Sequence, residues 1–174
     1  MSSMYKRLQL FLTLSWLFLL QACGQTNSAA YDLMLQGLYK DTVPQITPED
    51  LNKLLLEDSP AVLLDTRSKA EYSVSHLSGA RLITPASFDP EALKLQSKEV
   101  QIIVYCSVGY RSERVGEKLL GAGYTNVQNL YGGIFKWVNS GLPVVNAHGK
   151  TKQVHAYSRS WGVWLQKGEK VYGE

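Results

Sequence analysis

The 174 residues hold two cysteines, Cys23 and Cys106, and Cys106 stands where a cysteine can act as a nucleophile. Its surroundings read Val104-Tyr105-Cys106-Ser107-Val108-Gly109-Tyr110-Arg111-Ser112-Glu113. The apolar, β-branched run Gln101-Ile102-Ile103-Val104-Tyr105 before it predicts a buried strand. Val115, Leu119 and Leu120 after it recur at helical spacing, and Gly121 and Gly123 close that helix. A strand, a tight loop and a helix start thus surround the sulfur. In such a loop the backbone N–H groups of Ser107 to Arg111 can turn inward, and the helix adds its positive end. Arg111 contributes a charge that is permanent at neutral pH, and Gly109 allows a backbone conformation other residues resist. These features favour a thiolate, the nucleophilic form of cysteine. A cysteine at a strand end can also be a small buried hydrophobe, but the glycine, arginine and helix start that follow argue for the reactive alternative.

Cys23 belongs to a different pattern. Lys6 and Arg7 precede the apolar run Leu8 to Leu20, which is short for a membrane span and fits a secretory leader. Leu20-Gln21-Ala22-Cys23-Gly24 resembles a bacterial lipobox, despite Gln21. Residues 1–22 are therefore expected to be removed and Cys23 to carry lipid, anchoring the protein to a membrane on the periplasmic side. Gly24 resembles the pattern for outer-membrane sorting. An ordinary secreted protein and an uncleaved anchor are the alternatives. Both motifs speak against a Cys23–Cys106 disulfide.

Without Lys6 and Arg7 the 18 basic residues become 16, against 15 acidic ones. A nearly neutral mature chain gives no basic surface of the kind nucleic acid requires. His148 and His155 are too isolated to suggest a metal site, and no cofactor motif is present.

The remaining elements must position the loop. Residues 23–45 read as a tether, with a short helix over Tyr31 to Tyr39 suggested by Leu33, Met34, Leu35 and Leu38. Thr47-Pro48-Glu49-Asp50 is a helix start, with Thr47 as N-cap and acids in the first turn. Ala61-Val62-Leu63-Leu64 predicts a buried strand ending at Asp65. Arg67 and Glu71 are four apart and would be neighbours on a helix. Arg81-Leu82-Ile83 reads as a short strand, Phe88 to Leu95 as a helix, and Asn126 to Leu130 as a strand. A helix then holds Ile134, Phe135, Trp137 and Val138, with Trp137 in the core. Strands alternating with helices indicate a parallel α/β sheet flanked by helices. In residues 146–174, His155 to Ser158 and Trp161 to Leu165 look like strands around a turn at Lys167 to Lys170. This predicts a C-terminal β-hairpin extension; its aromatics could pack on the domain or face a partner or a membrane.

The sequence C-x-x-G-x-R-S after a strand resembles the active-site loop of single-domain rhodaneses. Leu63-Leu64-Asp65-Thr66-Arg67, Glu71-Tyr72, and His76-Leu77-Ser78-Gly79-Ala80 resemble the early motif of that family, and Tyr131-Gly132-Gly133-Ile134 with Trp137 its late motif. Together the matches span about residues 46–145. The resemblance implies a rhodanese-like domain in which Cys106 carries sulfur as a persulfide. The loop Ser107, Val108, Gly109, Tyr110, Arg111 and Ser112 would then bind the substrate. It also implies that Asp65, Arg67 and Glu71 organise loops, and that His76 closes a turn rather than acting as a base. A small sulfur donor and a thiol or cyanide acceptor would be the partners. Ser107 and Val108 place no basic residue inside the loop, unlike many thiosulfate users. A Cys-dependent phosphatase or arsenate reductase needs five residues between Cys and Arg, and here there are four. A non-enzymatic rhodanese-like binding module is the remaining alternative, and such modules often lack the cysteine.

Overall fold

The computed structural model describes residues 28–57 and 60–173. The leader, residues 1–22, and the lipidation candidate Cys23 lie outside the described residues. The described residues divide into two compact units, the first ending at Gly37 and the second beginning at Leu38. Helix α1 covers residues 28–38. Among the described residues no helix is long and apolar enough to cross a membrane.

The second unit is built on a five-stranded parallel sheet in the order β1-β5-β4-β2-β3. Its strands are β1 (Gln45–Ile46), β2 (Val62–Asp65), β3 (Arg81–Leu82), β4 (Ile102–Tyr105) and β5 (Val127–Leu130). Every residue of β4 is buried, as expected for a central strand covered on both faces. Ile102 and Val104 pack with Leu64, Val115, Leu119 and Val127 into a core between the sheet and helix α4 (Tyr110–Gly121). Helix α2 (Pro48–Leu56) starts at Thr47, whose side chain accepts from Asp50 N. Helix α3 (Lys69–Val74) has a reciprocal cap between Ser68 and Glu71, and α5 (Gly133–Asn139) follows β5.

The strand order places the functional loop. From β2 the chain moves outward to β3, and from β4 it moves the opposite way to β5. The connections leaving the carboxyl ends of β2 and β4 therefore part from adjacent strands. A crevice opens at such a switch point, the usual ligand site of parallel α/β sheets. One connection carries Asp65 to Glu71 and the other Cys106 to Arg111.

Some local expectations change. The segment read as a helix from Phe88 to Leu95 is a 3-10 turn, Pro90–Leu93, capped by Asp89. A C-terminal hairpin exists, but it is formed by β6 (Val144–Asn146) and β7 (Gly149–Thr151). Strand β8 (Gln153–His155) pairs in parallel with β9 (Glu169–Val171), two residues of which were expected in a turn. Trp161–Trp164 is a 3-10 turn rather than a strand. Gly162 within it is buried and lies close to Ala156 and to the Tyr172 hydroxyl.

Candidate active site

Cys106 follows β4 directly and is almost wholly buried, at 1% exposure. Gly109 N–H donates to its Sγ at 3.1 Å. Gly109 has φ 98° and is the N-cap of α4, so the sulfur sits before the first turn of a 12-residue helix. The backbone conformation favours glycine, and a Cβ there would also collide with the Tyr39 side chain. The positive helix end and the inward N–H are therefore both aimed at the sulfur.

The loop is held from three sides. Tyr39 Oη donates to Val108 O at 2.5 Å and accepts from Gly132 N at 2.9 Å. Residues 39–43 are thus tied to the loop region; Val43 packs against Gly116 of α4, and Glu113 accepts from the backbone N–H groups of Lys40 and Thr42. Burial pushes the Tyr39 hydroxyl pKa far up, so it remains a donor. On the second side, Ile134 N donates to Cys106 O at 2.9 Å and Phe135 N to Ser107 O at 3.1 Å. A Cβ on Gly133 would strike the Cys106 carbonyl, which explains the glycine before Ile134. Within α4, Ser112 donates to Asn129 Oδ1 at 2.7 Å, and Asn129 Nδ2 donates to Gly109 O at 2.9 Å.

Glu71 holds the third side. Its carboxylate accepts two bonds from the Arg111 guanidinium, at 2.8 and 3.1 Å, and one from Ser107 Oγ at 2.8 Å. Arg111 also donates to Ser107 Oγ at 3.0 Å. Burial opposes the carboxylate's charge, but the Arg111 bonds and charge outweigh it and hold the Glu71 pKa down at about 2. Burial likewise opposes the Arg111 charge, and the bonds to Glu71, with the Cys106 sulfur's charge, reverse that and raise its pKa.

The sequence spacing put Arg67 and Glu71 near each other on a helix; their charges do interact, but the helix does not include Arg67. Arg67 precedes the N-cap Ser68, outside the helix, and its fully buried guanidinium pairs with Asp65 at 2.7 Å and donates to Ser75 O at 2.5 Å. Asp65 and Arg67 brace the β2 connection, while Glu71 alone of the three bonds to the Cys106 loop. His76 hydrogen-bonds to backbone, through Nδ1 with Tyr72 O and through its N–H with Val145 O, and stacks on Tyr72. Trp137 is buried and donates to Pro143 O.

A cavity of about 260 Å³ opens above the sulfur, lined by Cys106, Ser107, Val108, Tyr110, Arg111, Tyr157 and Trp161. Tyr39, Tyr157 and Trp161 are the residues that motif spacing could not find. No group of His, Cys, Asp and Glu among the described residues could hold a metal ion.

The second unit is thus a parallel α/β domain with Cys106 in a Cys-x-x-Gly-x-Arg loop at the switch point of its sheet. Within it, residues 47–140 match the rhodanese-like domain family, and the chain belongs to that family. A protein named sulfurtransferase from Allochromatium vinosum is 33% identical over 107 residues, which is 62% of this chain and 99% of that protein. A tRNA uridine(34) hydroxylase of Erwinia tasmaniensis is 34% identical over 99 residues, 52% of this chain and 28% of that protein. The crystal structure of a thiosulfate sulfurtransferase from Pseudomonas aeruginosa superposes with a TM-score of 0.55 at 26% identity, covering 71% of this chain and 23% of that one. The chain therefore spans only about a quarter of the length of these two larger proteins.

Proposed function

We propose that the protein is a sulfurtransferase that carries sulfane sulfur on Cys106. The observation that carries this reading is the Gly109 N–H bond to Sγ at the start of α4, in a loop with four residues between Cys106 and Arg111. Such a cradle suits a single sulfur atom. In the first half-reaction the Cys106 thiolate attacks the outer sulfur of a donor. An S–S bond forms at Sγ, the donor's bond to that sulfur breaks, and the leaving group departs with the electron pair. The persulfide's negative charge then lies where the loop N–H groups and helix end can stabilise it. A thiol or cyanide attacks the outer sulfur in the second half-reaction and regenerates the thiolate.

The test is intact mass after incubation with thiosulfate or a polysulfide, beside Cys106→Ser. A gain of one sulfur atom in the parent and none in the variant is expected. No gain from any donor, or an equal gain in the variant, refutes the reading.

The leader pattern Lys6-Arg7, Leu8 to Leu20, and Cys23 supports a lipid-anchored protein of the bacterial envelope, with the domain facing the periplasm. Stable attachment needs more than one acyl chain. Cell fractionation of the full chain and Cys23→Ser tests it: membrane association and fatty-acid incorporation should be lost together in the variant.

A further inference from the structure

Residues 141–174 lie beyond the family match, yet two of their side chains wall the cavity over Cys106: Tyr157 and Trp161. We propose that these two residues make the site selective for small organic sulfane-sulfur monoanions bearing an aryl or comparable apolar group, over inorganic thiosulfate. This inference rests on the sulfurtransferase reading of Cys106.

Tyr157 is held in a conformation that a core side chain would not require. Its φ is 63°, the left-handed region that non-glycine residues rarely occupy. Ser158 N donates to Ala156 O, two residues back, at 2.8 Å, so Tyr157 forms the tip of a tight, strained turn. The turn is pinned: Tyr157 N–H donates to His155 Nδ1 at 3.1 Å, while His155 Nε2 bonds to Gly173 O at 2.6 Å. The ring so presented remains 52% exposed and lies 5.1 Å from the Arg111 guanidinium. Strain retained for an exposed ring at a cavity rim points to a ligand contact rather than to packing. Trp161 is set by the same turn, its N–H facing Ser158 Oγ at 3.3 Å, and Gly162 is locked against Ala156 and Tyr172.

Charge and size identify the occupant. Arg111 is the one charged side chain among the residues that line this cavity, and Glu71 already answers it with two hydrogen bonds. With the Cys106 sulfur as a thiolate, the Glu71–Arg111–Cys106 group carries one net negative charge. A dianion finds no surplus cation there, and a monoanion with an apolar body loses less on entry. The walls offered by Tyr110, Tyr157, Trp161 and Val108 are aromatic and aliphatic. A cavity of about 260 Å³ exceeds the roughly 150 Å³ that accommodates benzene and falls short of the roughly 300 Å³ at which drug-sized pockets begin. It therefore fits one aromatic ring with a sulfur-bearing head group.

Benzenethiosulfonate is the probe. The Cys106 thiolate attacks its outer sulfur, the new Sγ–S bond forms, the bond to the sulfonyl sulfur breaks, and benzenesulfinate leaves with the electron pair. One negative charge then resides on the persulfide and one on the sulfinate, as on the two reactants. The experiment compares kcat/KM for thiosulfate, methanethiosulfonate and benzenethiosulfonate, with cyanide as acceptor and thiocyanate as readout. The parent should use the aryl donor at least tenfold better than the methyl donor, and the methyl donor no worse than thiosulfate. Trp161→Ala should bring the aryl-to-methyl ratio down about tenfold, Tyr157→Ala severalfold, and Trp161→Phe should keep most of it. Should Trp161→Ala misfold, Tyr157→Ala carries the test, because its side chain is half exposed. An unchanged ratio in both alanine variants, or a preference for thiosulfate, overturns the inference while leaving the sulfurtransferase intact. No sulfur transfer from any of the three donors overturns both.

Discussion

Replacing Glu71 with glutamine keeps the shape and one acceptor oxygen but removes the charge that clamps the Cys106 loop. Its carboxyl pKa falls from the ordinary 4.5 to about 2. A drop of roughly 2.5 units, at about 1.4 kcal/mol each, corresponds to about 3 kcal/mol of stability. The Arg111 side chain is 32% exposed, and solvent screening of that partner lowers the expectation to about 2 to 3 kcal/mol. A depressed carboxyl pKa stabilises the fold fully above the unfolded value of 4.5 and loses that stabilisation as pH falls through about 2. Urea unfolding of the parent and Glu71→Gln should therefore differ by about 2 to 3 kcal/mol at pH 7. The gap should shrink below about 1 kcal/mol near pH 2.5, which lies well below the unfolded carboxyl's pKa and only slightly above the folded one of about 2. Activity gives a second reading. The bidentate clamp positions Arg111 and Ser107, so the variant should form persulfide more slowly even where it remains folded. A stability gap that stays constant from pH 7 to pH 2.5 would show that Glu71 holds the loop by shape alone and refute the charge argument.

Three other substitutions probe the same framework. Tyr39→Phe leaves Gly132 N–H and Val108 O without the hydroxyl that joins them; thermal or urea unfolding should register a loss of about 1 to 3 kcal/mol. Gly109→Ala forces a Cβ into the Tyr39 side chain at φ 98°, and should cost at least about 2 kcal/mol together with most of the sulfur loading at Cys106. Tyr157→Gly relieves the left-handed strain while adding backbone freedom to the unfolded chain, two effects of about 1 kcal/mol each and opposite sign. Its melting temperature should stay near the parent's while the aryl-donor preference falls.

The strand that leads to Cys106 and the helix after it were readable from sequence because their signals are local. Ile102, Ile103 and Val104 form an unbroken apolar run, Gly109 marks the turn, and Val115 and Leu119 mark the helix face that reaches the core. What holds the loop is not local. Glu71 and Arg111 are 40 residues apart, and the i,i+4 spacing from Arg67 to Glu71 marked two residues whose charges interact but whose hydrogen bonds go elsewhere, since Arg67 lies outside the helix. Tyr39 reaches Val108 and Gly132 across 69 and 93 residues, from the end of the short helix read over Tyr31 to Tyr39. The C-terminal strands are three residues long, too short for a period to declare itself. Their parallel pairing brings Gln153–His155 against Glu169–Val171, whereas the turn read at Lys167 to Lys170 pointed to an antiparallel hairpin.

These long-range ties alter how Arg111 is to be understood. From sequence it is the obvious cation for the Cys106 sulfur. In the structure its guanidinium is engaged by Glu71 and Ser107, and a bidentate pair spends much of its field on its own partner. Backbone dipoles are aimed at the sulfur as well: Gly109 N–H at 3.1 Å and the N-terminus of α4. Such dipoles are fixed by the fold and need no reorganisation when charge moves from Sγ to an added sulfur atom. Their placement in turn depends on the φ of Gly109, and that conformation is held by Tyr39, Asn129 and the Glu71–Arg111 clamp. Arg111 thus acts on the sulfur in two ways, through its charge, which the charge of the Cys106 sulfur supports, and through the shape of the loop. The same neutralisation leaves the cavity without a free cation on its wall, which is why its aromatic side chains are left to choose the donor.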